Sequence, residues 1–176
     1  FEVSKSILEA GKHSYSEKPL SIKFEHGQEL VNLGNSKGLH VGCAPDTFLG
    51  AGIQEAKKII DQNEIGIINL GSISMGVAGH EIWHPNPDFY YKYGGGPILD
   101  MGPYYFTALV NLLGPAKNVF TQSRTVYQKR VIGSGDRQGQ EIEVEIPTTL
   151  VSQIEFESGA LICLLYTSPS PRDLWI

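Results

Sequence analysis

Several stretches of the 176-residue chain carry side chains that could do chemistry. His80-Glu81-Ile82-Trp83-His84 fits H-E-x-x-H, the pattern in which two histidines one helical turn apart hold zinc while the glutamate activates water. That chemistry needs a helix through all five residues. Gly76 and Gly79 stand just before them and Pro85 and Pro87 just after, so such a helix is disfavoured on both sides. Pro87 also occupies the glycine position of the extended pattern. No metal ligand set is therefore expected, and a zinc hydrolase acting through His80, Glu81 and His84 is the weakest functional reading. Gly50-Ala51-Gly52-Ile53-Gln54-Glu55 imitates the dinucleotide fingerprint G-x-G-x-x-G, but Glu55 replaces its third glycine and would repel a pyrophosphate. These small residues are expected to pack a helix against its neighbour. Two further segments, Gly11-Lys12-His13-Ser14-Tyr15-Ser16-Glu17-Lys18-Pro19-Leu20 and Gly94-Gly95-Gly96-Pro97-Ile98-Leu99-Asp100-Met101-Gly102, place a lysine and a carboxylate next to turn-forming residues.

The elements that must position these groups are legible in outline. Val3, Ile7 and Ala10 repeat as on a helix that Gly11 stops. His13–Ser16 reads as a short strand running into Glu17-Lys18-Pro19, where proline excludes the helical region for the residue before it and marks a loop. A loop at a strand end is where α/β folds place chemistry. Ser21 is expected to cap a helix reaching about Leu33, before a strand over His40–Ala44. This β-α-β order is typical of a parallel sheet. Asp46 or Thr47 is expected to cap the next helix, which carries Phe48, Ile53, Ala56, Ile59 and Ile60 at helical spacing. Beyond Gly66 the pattern becomes strand-like over Ile67–Val77, Val119–Tyr127, Thr148–Glu157 and from Ala160. Leu150, Ser152, Ile154 and Phe156 alternate there with Val151, Gln153, Glu155 and Glu157. Such alternation gives one wet face and an antiparallel sheet. A helix from about Tyr104 to Leu113 is stopped by Gly114-Pro115.

Composition narrows the classes of function. Hydrophobic residues make up 41% and charged residues 19%, which suits a chain that buries a core rather than a disordered or fibrous one. The net charge of −5, with no run of like charge, gives no electrostatic footprint for nucleic acid or an anionic membrane. Two cysteines, Cys43 and Cys163, are too few for a disulfide scaffold and suit a reducing compartment. No stretch approaches the roughly 20 apolar residues of a membrane span. The chain opens on Phe1 inside a helical pattern, so a segment is expected upstream, and a cytoplasmic location is expected with export left open. At the other end, Cys163-Leu-Leu-Tyr-Thr-Ser-Pro-Ser-Pro-Arg-Asp173 resembles the in-frame translation of a sequencing adapter, and residues 163–176 are read as a non-native tail.

Taken together, the segments around Lys18 and Asp100 resemble the signatures of the glucose-fructose oxidoreductase, inositol dehydrogenase and rhizopine-catabolism (Gfo/Idh/MocA) family. The resemblance spans residues 1–162 in the family's order of elements. It implies an α/β architecture: the C-terminal remnant of a Rossmann parallel sheet over residues 1–45, then an incomplete α+β substrate domain with a mainly antiparallel open sheet over residues 46–162. It also implies NAD or NADP as cofactor, with Glu17, Lys18 and Pro19 beside it. Lys18, Asp100 and Tyr104 would be catalytic, the ammonium stabilising an alkoxide as hydride leaves. The family carries a proton-exchanging histidine four residues after this aspartate, and Tyr104 stands there instead. An unperturbed tyrosine, with its pKa near about 10, is a poor base at neutral pH. Either a Tyr104–Lys18 pair shuttles the proton, or Tyr104 positions substrate and another group does the work. The segment from Trp83 to Tyr93 offers hydrogen-bonding and stacking groups for a polyhydroxylated ligand. Trp83, His84, Asp88 and Tyr91, with Asp100 and Tyr104, are the expected substrate contacts.

These expectations make the full-length protein an NAD(P)-dependent dehydrogenase or reductase of a sugar or cyclitol, homo-oligomeric through its open sheet face, with residues 1–176 alone inactive. The alternative from another class is a family member that has lost catalysis and binds a sugar, for which the Tyr104 substitution is the argument.

Overall fold

In the computed structural model of the chain, residues 1–167 are described. Helix α1 (Glu2–Glu9) leads into β1 (Ser14–Ser16), then α2 (Phe24–Ser36) and β2 (Val41–Cys43). The two strands pair in parallel, Ser14 opposite Val41 and Ser16 opposite Cys43, so their carboxyl ends lie on the same side. Leu8 and Leu30, fully buried, anchor the two helices. Ser21 does not cap α2. Its Oγ accepts the Lys23 N–H at 3.2 Å, and the helix begins two residues later than the sequence suggests, with Lys23 at the N-cap position.

A one-turn 3₁₀ segment at Asp46–Leu49 precedes α3 (Ala51–Asp61). Neither Asp46 nor Thr47 supplies a side-chain cap to α3; Gly50 stands at its N-cap position. The packing expected of its small residues is also absent at Gly52, where a methyl group would meet open space. Helix α3 lies against α5 (Gly102–Leu113) instead through its half-buried apolar stripe.

The larger sheet is mixed. Strands β3 (Leu70–Gly76), β4 (Ala116–Arg124), β7 (Thr149–Phe156) and β8 (Leu161–Thr167) run in the spatial order β3-β8-β7-β4, with β3 parallel to β8 and the other pairs antiparallel. The alternation read along β7 holds: Leu150, Ser152, Ile154 and Phe156 are buried. With Ile162 and Leu164 of β8 they form the inner face, onto which Leu109 of α5 packs. Each apolar side chain removed there from water contributes about 1.5–3 kcal/mol. The outer face bears Leu70, Phe120, Val151, Leu161 and Leu165, all exposed. Strand β8 continues five residues past residue 162, where the sequence reading drew its boundary, and Leu164 and Tyr166 in that extension are buried. The rest of the tail, 168–176, lies outside the described residues.

The hairpin β5 (Lys129–Val131) and β6 (Glu141–Glu143) has no counterpart in the sequence reading. It covers one end of the core through Ile132, Ile142 and Val144, which pack with Tyr90 and Tyr91 of the short helix α4 (Asp88–Tyr91). Among the described residues no helix is long and apolar enough to cross a membrane.

Candidate active site

Lys18 sits in the loop leaving β1, at the carboxyl end of the parallel pair. The loop is held locally: Glu17 Oε2 accepts the Lys18 N–H at 3.2 Å, and the Cys43 thiol donates to the Glu17 carbonyl at 3.5 Å. Burial pushes the Cys43 thiol up from its ordinary range, so it stays protonated and keeps that bond. The Lys18–Pro19 peptide bond is cis.

Asp100 reaches the same place from the far side of the chain. It lies in a π-helical turn, Pro97–Met101, that runs directly into α5. The Gly-rich run before it has a packing reason. At Gly96 the backbone has φ +80°, a conformation that disfavours a side chain, and at Gly95 a methyl group would fall 2.0 Å from the Phe89 carbonyl oxygen, so the run is held to glycine by conformation at one position and by space at the other. Lys18 Nζ donates to Asp100 Oδ1 at 2.7 Å and to the Asp100 carbonyl at 2.6 Å. Their side chains are only 14% and 19% exposed, which makes this a largely desolvated, charge-assisted contact.

Tyr104, on the first turn of α5, is half-buried. Lys18 Nζ lies over its ring, 5.1 Å from the centre, in a cation–π contact. The ammonium thus meets the face of Tyr104, while its short bonds both go to Asp100.

These three groups line a cavity of about 550 Å³ with Met75, Val77, Met101 and a fourth polar group, His80. His80 Nε2 stands 3.6 Å from Asp100 Oδ2, the oxygen that Lys18 does not hold. Its ring is stacked on Tyr90 with centres 3.8 Å apart and planes 20° apart. Burial lowers the His80 pKa from the ordinary histidine range, opposed in part by the Asp100 carboxylate.

The H-E-x-x-H stretch is not a helix. His80–Ile82 forms one 3₁₀ turn and the chain bends away at Trp83. Glu81 is spent elsewhere: Oε1 accepts from Arg130 Nε at 2.8 Å, and Oε2 accepts the Tyr91 hydroxyl. The guanidinium also donates to the Ala78 carbonyl at 2.8 Å. Gly79 between them has φ +120°, and a methyl group there would lie 2.3–2.5 Å from the Glu81 and Arg130 side chains. The turn carrying His80 is therefore pinned by a buried ion pair on its other side.

Of the expected substrate contacts, Trp83 and His84 line the cavity mouth, with Trp83 64% exposed. His84 Nδ1 accepts the Asn86 N–H at 3.0 Å. Asp88 and Tyr91 do not line it. Arg137 grips both Asp88 oxygens and holds that carboxyl below its usual range. Tyr91 is fully buried, and its hydroxyl belongs to Glu81. Their residue types suit sugar contacts, but Arg137 and Glu81 claim them instead. His80, conversely, entered the sequence reading only as part of a zinc pattern. Gly79 before it and Pro85 and Pro87 after it were the available signals that it serves a turn.

Residues 53–173 match the family model described as GFO/IDH/MocA C-terminal domain. A D-xylose dehydrogenase of Paenarthrobacter nicotinovorans is 25% identical over 126 residues, 69% of this chain and 32% of that protein. Among solved structures, the WlbA dehydrogenase from Bordetella pertussis, crystallised in complex with NADH and UDP-GlcNAcA, superposes with a TM-score of 0.78 at 20% identity. That match covers 96% of this chain and 49% of the other. An NAD binding oxidoreductase from Klebsiella pneumoniae gives a TM-score of 0.80 at 22% identity, over 97% and 45% of the two chains. The chain thus spans from about a third to about half of the length of these relatives.

Proposed function

The chain belongs to the Gfo/Idh/MocA family, and on that premise we propose that the full-length protein is an NAD- or NADP-dependent oxidoreductase acting on a secondary alcohol, or the matching ketone, of a sugar or cyclitol. The observation that carries this reading is the Lys18–Asp100 pair at a cavity wall. An ammonium has three N–H groups; two go to Asp100, and the third serves a substrate oxygen in the cavity that Lys18 lines. A cation fixed beside that oxygen favours the alkoxide of an alcohol being oxidised and polarises the carbonyl of a ketone being reduced.

The residues present fit the nicotinamide end of a dinucleotide. The Glu17-Lys18-Pro19 loop leaves the carboxyl end of a parallel strand, where open α/β sheets receive such ligands. Lys18 would stand beside the ring, and Met75, Val77 and Met101 give the cavity an apolar floor that excludes water. The cofactor, when bound, would supply the hydride chemistry; Asp100 holds the Lys18 ammonium in place through its carboxylate and its carbonyl. Trp83 at the mouth offers a flat face to the C–H side of a sugar ring.

A sugar or sugar nucleotide is the substrate class suggested by the relatives named above. The exposed outer sheet face, with Leu70, Phe120, Val151, Leu161 and Leu165, is the surface through which we expect the protein to pair with a second copy. A Phe120→Glu variant that leaves its mass in solution unchanged would remove that part of the reading. The reading as a whole is tested by presenting aldoses, cyclitols and sugar nucleotides with NAD or NADP and following cofactor reduction. Turnover that Lys18→Ala abolishes supports it. Sugar binding without turnover would favour the lapsed, binding-only alternative that Tyr104 raises.

A further inference from the structure

We propose that His80 is a positioning residue of this site: its Nε2–H faces Asp100 Oδ2 and fixes the plane of that carboxylate, and so the direction in which Lys18 meets substrate. The proposal rests on the oxidoreductase reading above and gives a role to a side chain which that reading does not use.

The tautomer follows from the surroundings of the two ring nitrogens. Nδ1 is buried without a hydrogen-bond partner among the described residues, and Nε2 stands 3.6 Å from Asp100 Oδ2. A proton on Nδ1 would point at no acceptor, and the lone pair then left on Nε2 would face a carboxylate oxygen. A proton on Nε2 turns the positive end of the N–H toward that oxygen instead. At 3.6 Å the contact is longer than a hydrogen bond and acts as attraction between a dipole and a charge. The two side chains are only 11% and 19% exposed, so solvent screens it little.

Asp100 has use for this second hold. The torsion that turns an aspartate carboxylate is broad, and Lys18 Nζ grips only Oδ1, at 2.7 Å, while its other bond goes to the Asp100 carbonyl. With Lys18 on one oxygen and His80 facing the other, the plane of the carboxylate is set, and with it the aim of the remaining Lys18 N–H into the cavity that all three residues line.

His80 is itself held on two sides. Its ring lies flat on Tyr90, centres 3.8 Å apart, and the Tyr90 hydroxyl pairs with that of Tyr166. Its backbone turn is tied down through Glu81 to Arg130, whose guanidinium also donates to the Ala78 carbonyl. The charged and titratable groups that face it are Asp100, Lys18, Tyr90 and, on its own segment, Glu81 and His84. Among them the ring stays neutral, because burial lowers its pKa. It therefore orients Asp100 without competing with Lys18 as a second cation.

Two measurements on the full-length protein test this. Nitrogen NMR of the His80 ring at neutral pH without cofactor, assigned by its loss in His80→Gln, should show a protonated Nε2 and an unprotonated Nδ1. A proton on Nδ1, in the other neutral tautomer or in the imidazolium, overturns the proposal whether or not the enzyme turns over. The second measurement is a double-mutant cycle on sugar oxidation. His80→Phe keeps a ring on Tyr90 and deletes the N–H; it should lower kcat by about 10–10², the scale on which a small misplacement of a catalytic group acts. His80→Gln, which offers an amide N–H at similar reach, should recover part of that loss. In an Asp100→Asn background His80→Phe should cost less than about twofold, because its effect passes through the carboxylate. An equal loss in both backgrounds, or a His80→Phe enzyme within about twofold of wild type, overturns the proposal while leaving the oxidoreductase reading standing. Absence of turnover in the wild type with every sugar and cofactor overturns that reading, and this proposal with it.

Discussion

Replacing Arg130 with methionine should cost about 3–5 kcal/mol, the usual penalty for stranding one member of a buried ion pair. The structure supports the full penalty, because the Arg130 and Glu81 side chains are 8% and 6% exposed and solvent cannot screen the charge left behind. The guanidinium makes contacts of 2.7 and 2.8 Å to one Glu81 oxygen and a 2.8 Å bond to the Ala78 carbonyl. Methionine fills much of the volume but replaces none of these donors. Against a typical total stability of about 5–15 kcal/mol, the loss is large. With a urea slope of about 2 kcal/mol per molar, it moves the unfolding midpoint by roughly 2 M. Adding Glu81→Gln to Arg130→Met removes the stranded charge and should recover part of the loss. Equilibrium urea unfolding of the two single variants and the double variant measures all of this. An Arg130→Met protein within about 1 kcal/mol of wild type, or a double variant clearly worse than that single variant, would refute the claim that this pair pins the His80 turn.

Lys18→Ala and Asp100→Ala should each lower the rate of the chemical step by on the order of 10²–10⁴. Tyr104→Phe should cost less than about tenfold, roughly 1.4 kcal/mol, because the ammonium contacts the ring and not the hydroxyl; steady-state kinetics of the three variants checks this. Burial lowers the His80 pKa, so the unfolded state binds more protons as the pH falls below about 6.5. Its contribution to stability is complete above that pH and is lost on acidification toward the folded pKa. Melting temperatures from about pH 7 to about pH 5 should therefore fall more steeply for wild type than for His80→Asn. Gly79→Ala should cost at least about 1–3 kcal/mol from the positive-φ backbone alone, and its methyl would also meet Glu81 and Arg130; chemical denaturation reads the loss directly.

The two halves of the Lys18–Asp100 pair were legible in the sequence because each sits in a punctuated motif, Glu17-Lys18-Pro19 and the glycine run ending at Asp100. Their meeting across 82 positions of chain was legible only by family resemblance, since spacing carries no information over that distance. Strand β7 was clear from its alternation over eight residues. The β5–β6 hairpin, three residues a side, is too short for periodicity to mark it. Asp88 and Tyr91 show the limit of composition: a carboxylate and a phenol suit a sugar, but they equally suit Arg137 and Glu81, which only the fold brings near. His80 shows the converse, a site residue concealed within a metal-binding pattern whose helix never forms.

The proposed reaction is hydride transfer between a nicotinamide and a sugar carbon at the cavity wall that Lys18 and Asp100 form. It is tested most directly by supplying the full-length protein with reduced cofactor carrying deuterium at the transferable position and a keto-sugar, then locating the deuterium by NMR. Deuterium is expected on the newly formed carbinol carbon, and none when Lys18→Ala replaces the wild type. Deuterium remaining wholly on the cofactor, with every keto-sugar tried, would contradict it.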